Sequence, residues 1–237
     1  MSLTRGGWSC TVQDGSIGVR LGSSDVGAYS LLEQPFCGVC SAPGVETNAC
    51  AKALYGHHEL HGFRRLYAVG AYYPRRTLTA DLLTAHILAL KDSVSFASPL
   101  GMALALCLER RYPELLSSDV ISPMPQHPDK VKRRGYNQAL ELANVLSWKT
   151  GIPVVEPLEK TRDVSSTGKR RDEIKAMMSG LYVANTEASE LVSGKSALVV
   201  DDTATTGFDL AECSEQLMHA GCNTVNVYVV GRTAWSF

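Results

Sequence analysis

The chain has 237 residues, 45% of them hydrophobic and 20% charged, and a formal net charge of -1. That composition suits one folded α/β domain with a small appendage and excludes a disordered chain. A near-neutral chain is no bulk nucleic-acid binder, so any phosphate binding must come from a local site.

Residues 1–63 are polar and turn-rich, with many glycines. No apolar run is long enough for a membrane span, and no secretory signal opens the chain, so a cytoplasmic protein is expected. The seven cysteines are an odd number, and three of them cluster. This fits a metal site in a reducing compartment better than a disulfide framework. Cys37 and Cys40 have the two-residue spacing of a metal knuckle, and Cys50 adds a third thiolate. Tetrahedral structural zinc needs a fourth ligand, which His57 or His58 is placed to supply. The alternative is a degenerate finger without metal, its cysteines buried or redox-active. Cys107 and Cys213 sit among apolar helix residues and read as small buried hydrophobes.

From Leu66 onward, strand and helix signals alternate. Leu66 to Tyr73 reads as a strand ended by Pro74. Thr79 is placed to cap a helix through Leu82, Leu83, His86, Ile87 and Leu90. Ser98-Pro99 opens a second helix through Met102, Leu104, Leu106 and Leu108. Asp119 to Met124 is a short strand, followed by a proline-stiffened turn (Pro123, Pro125) and the basic run Lys130, Lys132, Arg133 and Arg134. Asn137 to Trp148 is helical and Gly151 closes it. Pro153 to Val155 and Leu181 to Ala184 are short strand candidates. Ser196 to Val200 is a continuous apolar strand, of the kind buried on both faces of a parallel sheet. A helix from about Phe208 to His219 and a strand from Thr224 to Val230 complete the pattern. The alternation predicts an α/β fold with a mostly parallel twisted sheet flanked by helices.

The segment Ala197 to Gly207 carries the chemistry. An apolar strand runs into the adjacent carboxylates Asp201 and Asp202, then a Thr/Gly-rich turn opens a helix. In open α/β sheets, ligands bind beyond the carboxyl ends of the strands. Free amides at a helix N-terminus suit an anion, the hydroxyls of Thr205 and Thr206 add donors, and Gly207 lets the backbone approach a phosphate. The paired carboxylates suit ribose hydroxyls or a nearby Mg²⁺. The plain alternative is a strand-end Asp pair that caps the next helix, but a cap needs only one acid.

This segment resembles the phosphoribosyl pyrophosphate (PRPP) motif of type I phosphoribosyltransferases. The resemblance implies that Asp201 and Asp202 engage the ribose and that Thr203, Ala204, Thr205, Thr206 and Gly207 wrap its 5′-phosphate. Two positions differ: Thr203 stands where an aliphatic residue is usual, and Asp209 where a Thr or Ser is usual. A proline-bounded turn followed by Arg133, Arg134, Gly135, Tyr136, Asn137 and Gln138 is similar to the competence-associated ComF family of such proteins. The likeness covers about residues 35–233. It implies a zinc-finger-like region at 1–63 and a phosphoribosyltransferase-like domain at 64–237. In that family the finger carries a second cysteine knuckle; here Ala53 stands at its last position, and the resemblance implies Cys37, Cys40 and Cys50 with His57 or His58 as the ligand set.

The resemblance also implies a reaction: displacement at the anomeric carbon of PRPP by a nitrogenous acceptor, with magnesium pyrophosphate leaving. Pro125 and Gln126, with Arg133 or Arg134, receive the pyrophosphate. The segment from Arg162 to Arg171 closes as a lid that carries Lys169 and Arg171 to the leaving oxygens. Lys91 at a helix end is a further candidate. The implied partners are PRPP and a small-molecule acceptor, and a homodimer is left open. A non-catalytic PRPP or nucleotide sensor, or a competence-type partner in DNA handling, uses the same fold without turnover.

Overall fold

The computed structural model describes residues 2–33, 41, 62–73, 81–164 and 171–233, with the backbone alone for Arg171, Asp172, Ile174, Lys175 and Ser189. Cys37, Cys40, Cys50, His57, Thr79 and Lys169 lie outside the described residues.

The chain begins with an antiparallel meander of four strands: β1 (Ser2–Arg5), β2 (Trp8–Gln13), β3 (Ser16–Leu21) and β4 (Ser24–Ser30). Residues 2–30 are therefore sheet, where composition alone suggests turns. The two-residue loop Asp14-Gly15 explains it. Gly15 takes a φ of 68°, which tight hairpin turns require. One face of the meander is apolar: Leu3, Trp8, Cys10, Ile17, Val19 and Tyr29 join the main core.

The central sheet has the order β5-β10-β9-β6, from β5 (Leu66–Tyr72), β6 (Val120–Pro123), β9 (Ser196–Ala204) and β10 (Thr224–Thr233). All its pairings are parallel, so the four carboxyl ends share one edge. The predicted strand at 153–155 is reduced to a single parallel bridge between Ile121 and Val154. Alternate residues of β9 serve opposite cores. Leu198 and Val200 pack toward the meander side, and Ala197 and Val199 pack toward the other. Period-2 burial on both faces is why this strand reads as an unbroken apolar run.

On the meander side lie α1 (Leu82–Ala89), α2 (Ala97–Arg111) and α4 (Gln138–Thr150); α3 (Pro128–Arg134) precedes α4. Asp81, rather than Thr79, caps α1: its Oδ1 accepts from the Thr84 amide at 2.8 Å. The basic run, for which the sequence suggests no element, forms α3. Pro128 stands in its first turn, where its missing N–H is not needed, and Gly135 closes it with a φ of 90°. The far side holds α5 (Arg171–Met178), α6 (Ala188–Val192) and α7 (Phe208–His219), with the antiparallel pair β7 (Leu158–Lys160) and β8 (Tyr182–Ala184). The α/β class and its helix-flanked parallel sheet are as predicted. Among the described residues no helix is long and apolar enough to cross a membrane.

Candidate functional site

The carboxyl edge of β9 and β6 gathers the polar groups. β9 runs four residues past Val200, so Thr203 and Ala204 belong to the strand and not to the turn. The reason is pairing: β10 continues alongside, with Thr203 opposite Gly231 and Ala204 opposite Arg232. Ladder bonds with a long neighbour outweigh the local turn signal. The turn itself is Thr205 to Gly207, and Gly207 is the left-handed N-cap of α7 with a φ of 81°.

Asp201 is half-buried and Asp202 is 9% exposed. Asp201 Oδ1 accepts from the Asp202 amide at 2.8 Å, and Asp202 Oδ1 accepts from the Thr203 hydroxyl at 3.1 Å. Thr203 thus spends its hydroxyl on an acid. Burial holds the Asp201 carboxyl well above the usual carboxylate range, and the charges of Asp202 and Asp209 add to that; the Asp202 amide and Lys160 oppose it. Asp209, in the first turn of α7, is half-buried and also pushed up by burial. Its Oδ1 accepts from the Leu210 amide at 3.0 Å.

Arg232 lies beneath the turn, only 1% exposed. Its Nη1 donates to the carbonyl of Ala204 at 2.7 Å and also to that of Thr205. In a trans peptide the N–H points opposite to the C=O. With both carbonyls drawn down to the guanidinium, the amides of Thr205 and Thr206 face away from it. The geometry is that of an anion cradle built from below.

β6 ends beside the acids. Pro123 lies opposite Val200, and the Met124 amide donates to the Val200 carbonyl at 2.9 Å. The turn that follows is tied to the start of α4. Asn137 caps α4 through Oδ1 to the Ala139 amide, and its Nδ2 donates to the Met124 carbonyl at 3.1 Å. Tyr136 donates its hydroxyl to the Leu90 carbonyl at 2.6 Å. Gln126 Nε2 and Arg134 Nη1 both donate to Gln138 Oε1. Gln126 Oε1 and Gln138 Nε2 are buried and have no hydrogen-bond partner among the described residues. A free acceptor and a free donor thus sit beside the turn, each costing about 1–3 kcal/mol unless a ligand or water meets it.

Of the two arginines, Arg134 is half-buried and Arg133 is exposed. Arg133 pairs with Asp163 at 2.8 Å, beyond β7. A cleft of about 430 Å³ joins Lys91, Lys130, Arg133 and Arg134 with Asp92. A second, of about 550 Å³, runs from Pro125, Gln126 and Asn137 to Lys160 and Asn185. Lys91, Arg133 and Arg134 therefore share one cleft and Pro125 and Gln126 line the other, with Gln138 joining Gln126 to Arg134. Of Arg171 only its place as first residue of α5 is described.

Sequence reasoning did not select Lys130, Lys160 or Arg232 as site residues. Burial lowers the proton affinity of Lys130, and the charges of Lys160 and Arg134 lower it further; Asp163 and Asp201 act the other way. Lys130 therefore stands within the field of both the basic groups and the carboxylates of Asp163 and Asp201. Its signal is the i, i+4 spacing to Arg134, which places both on one helix face and Arg133 on the next. Lys160 is half-buried at the end of β7, 5.4 Å from the centre of the Tyr182 ring, and its charge acts on Asp201 and Asp209. Nothing local marks Lys160 or Arg232; only the strand packing brings them to the site.

No family model matches the chain. It is similar to the DNA utilization protein YhgH of Escherichia coli O157:H7, with 28% identity over 206 residues, 85% of this chain and 86% of that protein. Among solved structures, the glutamine PRPP amidotransferase from B. subtilis is 21% identical with a TM-score of 0.43, over 66% of this chain and 33% of that one. The allosteric regulatory enzyme of purine biosynthesis is 20% identical with a TM-score of 0.42, over 66% and 32%. The adenine phosphoribosyltransferase from Saccharomyces cerevisiae is 17% identical with a TM-score of 0.38, over 59% and 70%. The chain spans about a third of the first two of these structures. At such TM-scores the fold rests on the strand order given above.

Proposed function

We propose that the chain is a PRPP-binding protein of the type I phosphoribosyltransferase kind, of ComF type, which transfers phosphoribose to a nitrogenous acceptor and releases pyrophosphate. The observation that carries this reading is the juxtaposition at one sheet edge. The acids Asp201 and Asp202 stand near the end of β9, between the turn at Thr205 to Gly207, whose amides face away from Arg232, and the turn after β6, whose Gln126 shares the Gln138 oxygen with Arg134. A sugar with a phosphate at one end and a pyrophosphate at the other matches that order of charges.

In this reading Asp201 and Asp202 hold the ribose hydroxyls. The amides of Thr205 to Gly207 take the 5′-phosphate, and Pro125, Gln126, Lys130 and Arg134 take the pyrophosphate. Arg133, Lys169 and Arg171 close on the leaving oxygens. Mg²⁺ accompanies PRPP, and the residues present fit it. The adjacent carboxylates of Asp201 and Asp202 at the end of β9 are hard oxygen donors of the kind that would hold such an ion. The ion's chemistry is to neutralise the leaving pyrophosphate. Cys37, Cys40, Cys50 and His57 are proposed to hold a structural zinc.

The test is pyrophosphate release from PRPP and Mg²⁺ across a panel of nitrogenous bases. Release with one base supports the enzyme. PRPP binding without release for any base removes the catalytic claim and leaves a PRPP sensor. That second reading draws support from the carboxylate of Asp209 inside the site, and from the similarity to a protein named for DNA utilization.

A further inference from the structure

We propose that Asp209 is a resident anion in the phosphate cradle, so that this residue weakens the hold on a sugar's 5′-phosphate and leaves ribose and pyrophosphate as the main anchors. The inference rests on the PRPP reading above and goes beyond it, since it assigns the site's selectivity among phosphorylated sugars to one side chain.

The starting point is the beginning of α7. Its first amides have no partner within the helix and need an acceptor. The N-cap is Gly207, which has no side chain, and no side-chain hydrogen bond is made from that position. Asp209 takes the role instead, accepting from the Leu210 amide at 3.0 Å. An anion arriving at this helix end therefore meets a carboxylate that already uses part of its donor set.

An ordinary acid in a first helical turn points to water and does no more than favour the helix dipole. Asp209 differs in two respects. It is only partly exposed, and its charge is coupled to Asp201 and Asp202 at the end of β9. Its carboxylate thus stands two residues past Gly207, at the helix end that follows the acids proposed to hold the ribose. Asp201, Asp202 and Asp209 place three carboxylates at the end of β9 and the start of α7, against the ammonium groups of Lys160 and Lys130. A phosphate dianion in the cradle adds to that excess. Pyrophosphate, on the other side of the acids, meets Lys130 and Arg134 instead.

The experiment is isothermal titration of the full chain and its Asp209→Asn and Asp209→Thr variants with three probes: ribose 5-phosphate, magnesium pyrophosphate, and PRPP with Mg²⁺. Asparagine keeps an oxygen for the Leu210 amide, so the start of the helix is retained, and thermal denaturation checks that each variant is folded. Removing the charge is expected to tighten ribose 5-phosphate by about tenfold or more, the scale of one nearby charge in a partly screened site. Magnesium pyrophosphate is expected to bind all three proteins alike. If PRPP binds but ribose 5-phosphate shows equal affinity for the three proteins, the role of Asp209 is wrong and the PRPP reading stands. If PRPP binds none of them, both fall.

Discussion

Arg232 donates from Nη1 to the carbonyl oxygen of Ala204 at 2.7 Å, from a side chain only 1% exposed. A guanidinium taken out of water needs fixed acceptors. Here the carbonyls on either side of the Ala204-Thr205 junction supply them, so the charge that needs partners also sets the direction of the turn. Arg232→Met should leave those carbonyls without a donor and cost about 1–3 kcal/mol of stability. It should also lower the affinity of the folded protein for PRPP. Arg232→Lys should recover part of both. Urea denaturation and PRPP titration separate the effects: a merely structural arginine would lower stability and leave the affinity of the folded protein unchanged.

Lys130 and Arg133 are three residues apart on α3 and differ in burial. Lys130 is half-buried beside Arg134 in the basic cleft, while Arg133 is paired with Asp163 and largely exposed. Lys130→Ala should weaken magnesium pyrophosphate by about tenfold, the scale of one charge-assisted hydrogen bond. Arg133→Ala should change it less, since an exposed ion pair contributes little. Pyrophosphate titrations of both variants check the order, and the reverse order would move the pyrophosphate site toward β7.

The meander is held to α1 by a buried pair. Tyr29 Oη and His86 Nδ1 are 2.6 Å apart, and Trp8 and Phe96 enclose the ring. Burial lowers the His86 pKa from the usual 6.5, so the folded chain keeps the ring neutral where the unfolded chain takes a proton. Below about 6.5 the unfolded state therefore binds more protons, and stability falls as pH falls toward the lower folded value. Above that pH the contribution is complete. Denaturation midpoints from pH 7.5 down to 5 should show this slope, and His86→Gln should flatten it. A wild-type midpoint that does not change over this range would contradict it.

Helices α2 and α4 cross where Gly101 meets Val145. A methyl group at Gly101 would lie 2.5 Å from Val145 Cβ, which is attached to backbone and cannot swing aside. Gly101→Ala gains about 1 kcal/mol in helix propensity but costs roughly 1–3 kcal/mol in overpacking. The net effect should be a lower melting temperature. Adding Val145→Ala removes Cγ1, which would lie 2.7 Å away, and should restore part of it, a coupling that a double-mutant cycle reads directly.

Much of the parallel sheet was legible because its strands are buried on both faces. Ser196 to Val200 and Thr224 to Val230 are unbroken apolar or β-branched runs, and Asp201 and Asp202 mark where one of them reaches the ligand edge. The meander was missed because glycine content outweighed the alternation of Cys10, Val12, Ile17 and Val19 around Asp14-Gly15. That dipeptide between β-formers is itself a hairpin signal. α3 is not legible because charge masks helical phase in a seven-residue segment. Lys160 and Arg232 were not legible at all. One comes from a short strand of a separate sheet, and the other stands at the end of a strand that reads as core. Their relation to the acids exists only after long-range packing.

The central claim is that Asp201 and Asp202 hold the ribose of PRPP at the carboxyl edge of β9. The direct measurement is titration of PRPP with Mg²⁺ into the wild-type chain and into Asp201→Asn and Asp202→Asn, each first checked for folding. One PRPP should bind per chain, and each variant should lose about tenfold or more in affinity, the scale of a charge-assisted hydrogen bond to a ligand hydroxyl. A folded wild-type chain that takes up no PRPP, or variants that bind it as tightly as the wild type, would contradict the account.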